Sequence, residues 1–150
     1  MTEYYKEKLE QGLQFQDYVI DLLYDAGLPV VTYSSKQYQN NVGENRGGLE
    51  IKNDERFRET GNLYIEIAEK SDPANARFVS SGIFRDDNTW LYLIGDRQEV
   101  YVLSKKQLIL LYESGKYNEV QTPTSKGFLL PVSCAVKHYA LKILKPRETK

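Results

Sequence analysis

One cysteine and one histidine among 150 residues leave little material for the commoner redox and metal centres. Cys134 alone cannot close an internal disulfide, which suits a reducing cytoplasm. With His138 as the only imidazole, a tetrahedral zinc site lacks ligands, so any metal would be a hard cation held by carboxylate oxygens. No apolar run approaches the roughly 20 residues of a spanning helix, so no membrane partner is expected. The first ten residues, MTEYYKEKLE, are charged where a signal peptide needs an apolar stretch. Charge of one sign is missing too: 20 basic against 21 acidic residues give −1. That argues against a histone-like or coating role, yet allows an acidic site whose basic walls cancel in the sum.

What is present suits a globular chain, with 41% hydrophobic and 27% charged residues. Its length serves one domain, 1–150, and is short for two. Residues 2–26 read as a helix with Thr2 as N-cap; Leu9, Leu13, Val19, Leu22, Leu23 and Ala26 recur at helical spacing, and Gly27 with Pro29 stops it. Residues 28–33 read as a strand and 34–48 as a polar loop with some structure at its start. Residues 49–54 and 63–70 read as the two arms of a hairpin, with Thr60-Gly61-Asn62 supplying turn chemistry. Gly95-Asp96 predicts a second hairpin between 90–94 and 99–103. Ser104 then caps a short helix, 127–130 makes another strand, and Pro131 opens a final helix burying Ala135, Val136, Tyr139, Ala140, Ile143 and Leu144. The predicted class is mixed α/β, a central mixed sheet flanked by helices.

Strand side chains alternate between faces. Glu50, Lys52 and Asp54 therefore share one face of the first arm, and Glu66, Ala68 and Lys70 one face of the second. Bringing those faces together gathers three carboxylates and two ammonium groups, which is costly unless a metal ion or a polyanion uses them. Glu66 carries the most weight, because it interrupts the apolar run Leu63-Tyr64-Ile65-Glu66-Ile67-Ala68. Glu69 is expected on the opposite face. The plainer reading of Glu50, Lys52 and Asp54 is a solvated strand with charges of alternating sign.

Asp54 followed twelve residues later by Glu66 on an apolar strand, after a leading helix, resembles the PD-(D/E)XK nuclease superfamily and its restriction-endonuclease-like fold. Ser80-Ser81-Gly82-Ile83 before a hydrophobic strand is similar to a stretch in small phage and prophage members. The resemblance implies a Mg²⁺- or Mn²⁺-dependent DNA endonuclease of the bacterial or phage-infected cytoplasm, with Asp54 and Glu66 as metal ligands. Glu50 is then either a third ligand through water or the residue that holds Lys52. The lysine expected two residues after Glu66 is replaced by Ala68, so Lys70, or Lys52 from the neighbouring strand, stands in as the catalytic lysine. Lys36, Gln37, Arg46, Ser81 and Lys126 are the candidate DNA contacts. A chain this small cannot enclose a duplex, so a homodimer is the form expected of a double-strand cutter. The alternative is a nuclease-fold module that has lost catalysis and binds nucleic acid or a protein. Gln16 and Asp17 on the first helix are read as its polar face, His138 as structural, and Cys134 as a small buried residue.

Overall fold

The computed structural model describes residues 3–32 and 35–146. Helix α1, Glu3–Asp25, forms as its apolar period requires. Phe15, Val19 and Leu23 recur every fourth residue and are buried against Leu49, Leu93, Val100 and Val102. Gly27, at φ 92°, ends the helix: its N–H bonds to Tyr24 O and that of Leu28 to Leu23 O, the paired closure of a Schellman motif. Leu9 and Leu13, expected in the buried stripe, are 50% and 53% exposed. The reason is length. Twenty-three residues make a helix about 34 Å long, roughly twice the span of a five-residue strand, so its first half outruns the sheet.

The chain is mixed α/β as predicted, with two four-stranded sheets in place of the single central sheet. The first has the order β1 (Leu49–Asn53), β4 (Leu91–Gly95), β5 (Val100–Ser104), β8 (Lys142–Leu144), with β1 parallel to β4 and the rest antiparallel. The second is antiparallel, in the order β3 (Val79–Ser80), β2 (Asn62–Glu69), β7 (Ser125–Pro131), β6 (Glu119–Gln121). α1 covers one face of the first sheet. The other face meets the second sheet and α4 (Lys105–Glu113) around Leu63, Ile65, Tyr101, Leu103, Leu108, Phe128 and Leu130. The β4–β5 hairpin and the Ser104 cap stand as the sequence predicts; Ser104 Oγ accepts the Gln107 N–H at 3.3 Å.

The first predicted hairpin does not form. β1 and β2 belong to different sheets, and a short helix, α3 (Phe57–Thr60), turns the chain between them. β1 finds β4 because Leu49, pointing the same way as Leu93, joins it under α1. Residues 28–32 contain no strand, only a bridge from Thr32 to Asn45; Thr2, Tyr33 and Ser34 lie outside the described residues. The loop that follows holds helix α2, Lys36–Asn41. The final helix is brief: α5 (Val132–Cys134) runs into a π turn, Ala135–Tyr139, and Ile143 and Leu144 fall in β8 instead. Ala135 is buried as predicted, whereas Val136 is exposed.

Candidate active site

Register fixes the first group of side chains. Glu50 stands opposite Tyr92 and Lys52 opposite Ile94, so both project from the face of the first sheet that α1 leaves uncovered. Glu50 is 7% exposed and holds the Lys52 ammonium at 3.1 Å. Desolvation within the cavity works against the charge of this half-exposed lysine, but Glu50, reinforced by Glu66 and Glu44, more than offsets it and raises its pKa above the usual lysine value. Lys52 is therefore an ammonium at neutral pH. Burial, and then repulsion by Glu50, push the Glu44 carboxyl up. The Tyr92 phenol is pushed well above the ordinary tyrosine range by burial and by Glu50.

Glu66 comes from the second sheet. Ser81 Oγ donates to its Oε2 and Ser125 Oγ to its Oε1, each at 3.1 Å. The Ser125 proton is thereby committed, so the Tyr64 hydroxyl, 2.5 Å away, donates to Ser125. The result is a chain from Tyr64 through Ser125 to Glu66. Gly82 lets Ser81 come so close: at φ 55°, a Cβ there would lie 2.0 Å from the Glu66 carbonyl oxygen.

Asp54 has a different occupation. Its Oδ1 accepts the Arg56 N–H and its Oδ2 the Tyr64 N–H, both at 3.0 Å. It closes the end of β1 and ties it to the start of β2.

Glu44, Glu50, Lys52, Asp54, Tyr64, Glu66, Tyr92 and Ser125 line one cavity of about 970 Å³. The lining includes Leu9, Leu13 and Gln16 of α1 and also Val120 and Thr122. Glu44, Glu50, Asp54, Glu55 and Glu66 contribute five carboxylates to the lining, against the three cations of Lys8, Lys52 and Arg56. No family model, curated protein or solved structure matches the chain. The chemistry must be read from the cavity itself. Among the described residues no three His, Cys, Asp or Glu side chains converge as a ready metal cage. Mg²⁺ asks for less, since it keeps several waters and takes one or two carboxylates. Glu50 and Glu66, on the cavity lining and fixed by Lys52 and by two serine hydroxyls, are the residues that would hold such an ion.

Of the predicted site, Glu50, Lys52, Asp54 and Glu66 share the cavity; Lys70 does not. A bulge explains its departure. Glu66 pairs with Gly127 but Ala68 with Lys126, so Ile67 is an extra residue and the alternation slips. Glu69 then pairs with Ser125, on the Glu66 side, while Lys70 joins Lys126 on the other side, both ammonium groups lying 4.6 Å from the Phe78 ring centre. The expected faces of Glu69 and Lys70 are thus exchanged. Ser81, expected to touch DNA, is 4% exposed and its hydroxyl is committed to Glu66. Gln37 on α2 and Arg46 are exposed and off the cavity lining; Lys36 begins α2, and its side chain lies outside the described residues. Gln16 reaches the lining and Asp17 does not. His138 is exposed and Cys134 half-buried.

The sequence reading gives Glu44, Tyr64, Tyr92 and Ser125 no role in the site. One signal was available. Glu50-Ile51-Lys52 is itself an acid-x-lysine triplet on an apolar strand, the pattern looked for at Glu66 and missing there.

Proposed function

We propose that this chain is a divalent-metal-dependent DNA endonuclease that hydrolyses phosphodiester bonds, with Glu50, Lys52 and Glu66 as its working residues. The observation that carries the reading is the Glu50–Lys52 pair, 3.1 Å apart on the lining of an acidic cavity that Glu66 enters from the other sheet. A cavity with more carboxylates than cations repels a phosphodiester unless a cation enters with it. Glu50 and Glu66 would hold Mg²⁺ or Mn²⁺, which would supply an activated water and neutralise charge on the phosphoryl oxygens. In the hydrolysis, water attacks phosphorus, the bond to one bridging oxygen breaks, and that oxygen takes a proton.

The chain's own residues do the rest. Lys52, kept charged by Glu50, holds a non-bridging phosphate oxygen. Ser81 and Ser125 fix the Glu66 carboxylate. Asp54 holds β1 and β2 in place through backbone amides, and ranks as a positioning residue. DNA is the partner in this reading, the cytoplasm its setting, and cutting both strands calls for two copies.

A second reading, a module that binds nucleic acid without cutting it, is favoured by the lack of a ready three-ligand group among the described residues. Incubating plasmid DNA with wild type and Glu66→Gln in Mg²⁺, Mn²⁺ or EDTA decides between them. Metal-dependent cleavage is expected, with Glu66→Gln slower by about 10²–10³-fold, the equivalent of a few kcal/mol of charge stabilisation. A folded wild type that leaves DNA intact in every metal refutes the hydrolase.

A further inference from the structure

The bulge that removes Lys70 from the cavity sets up a second cluster on the reverse of the same strands. The ammonium groups of Lys70 and Lys126 each lie 4.6 Å from the centre of the Phe78 ring, hence within about 9 Å of one another. That is inside the roughly 10 Å over which charges feel each other at about 0.1 M salt. Among the described residues neither lysine is in an ion pair. Neither of the nearest acids in sequence is paired with them among the described residues. Glu69 pairs in register with Ser125 on the cavity side, and Asp72 accepts the Ala74 N–H within its own turn. Guarding a sheet edge does not explain the cluster either, because β7 lies inside its sheet, between β2 and β6. Two uncompensated cations held side by side by one half-buried ring form a preset place for negative charge.

The cluster's position says what kind of anion. Ser125 bonds Glu66 in the cavity, and Lys126 is the next residue along β7, on the other side of the sheet. Lys70 N–H bonds Thr124 O at the same end of the strands, where Thr122 lines the cavity. A chain molecule leaving the cavity past Thr122 has only to round the end of the β2–β7 pair to reach both lysines.

We propose that Lys70 and Lys126, gathered on Phe78, grip the phosphate backbone of the DNA strand as it leaves the cavity around that end. The inference rests on DNA being the substrate and extends it by giving the strand a path. The contact needs no metal, whereas the acidic cavity does, and this separates the two claims.

Binding of a labelled DNA oligonucleotide, single-stranded and as a duplex, is measured in EDTA across a salt series. The variants are Lys70→Met with Lys126→Met, which keeps the stems on the ring without the charges, and the corresponding arginine pair. Losing two phosphate contacts makes the slope of log K against log salt shallower by about 1.4 on the single strand and 1.8 on the duplex. Near 0.1 M salt that is a loss of roughly 25-fold and 60-fold. The arginine pair should bind as wild type does. If the methionine pair fails to fold, Lys126→Gln alone should show half the slope change. A methionine pair with wild-type affinity and slope overturns the proposal, and so does a folded wild type that does not bind DNA in EDTA. Cleavage is scored separately. Wild type that grips DNA through these lysines but never cuts it loses the hydrolase and keeps the grip; cleavage with unchanged binding by the methionine pair does the reverse.

Discussion

Ser125 holds Glu66 with one hydroxyl while receiving the Tyr64 proton, so removing that hydroxyl releases two side chains at once. Ser125→Ala should weaken Mg²⁺ binding by about 10–100-fold, the usual loss when a group orienting a metal ligand is removed, while the melting temperature moves little. Titration calorimetry reads both the affinity and any loss of sites. Glu44 gives a test by pH. Its folded pKa is raised, so ionising it weakens the fold: stability is full below the ordinary glutamate value, about 4.3, and falls as pH rises through the higher folded value. Glu44→Gln should therefore melt above wild type at pH 7 and at the wild-type temperature near pH 4. A variant that gains nothing at pH 7 contradicts the burial of Glu44 beside Glu50.

At the scale of elements, Gly82 and the bulge at Ile67 are one device. Ser81 N–H bonds the carbonyl of Ile67, the extra residue, while Gly82 lies against the carbonyl of Glu66. Gly82→Ala adds a methyl group 2.0 Å from a backbone oxygen at a left-handed φ of 55°. The expected cost is roughly 2–5 kcal/mol, by denaturant titration, with loss of the Ser81–Glu66 bond. The bulge also marks where the sequence stops being legible. Alternation read along β1 correctly puts Glu50 and Lys52 on one face, because the strand is regular as far as Asn53. The same rule applied from Glu66 to Lys70 fails, since a bulge changes the count without needing a special residue type. α1 shows the converse. Its period predicts the helix, but helical spacing cannot say how much of the apolar stripe finds a sheet beneath it. The missing hairpin has a similar cause: turn chemistry before β2 shows that the chain bends, and not which strand β1 will pair with.

For the whole molecule, the two sheets share one apolar core, and the proposed working residues are divided between them. Glu50 and Lys52 ride on the first sheet and Glu66 on the second. Leu130, fully buried in the shared core, is one of the side chains between them. Leu130→Ala should cost about 2–5 kcal/mol on chemical denaturation. Cleavage should fall at temperatures well below its melting point, because the sheets settle into a new spacing. A stability loss with wild-type turnover would separate core from chemistry. Shifts of about 1 Å can cost a hundredfold in rate, so on the proposed reading the gap between the sheets acts as a gauge on which reactivity depends. Substitutions far from any substrate can then read out as slow enzymes and not as unfolded ones, and screening for activity alone would select for tight cores.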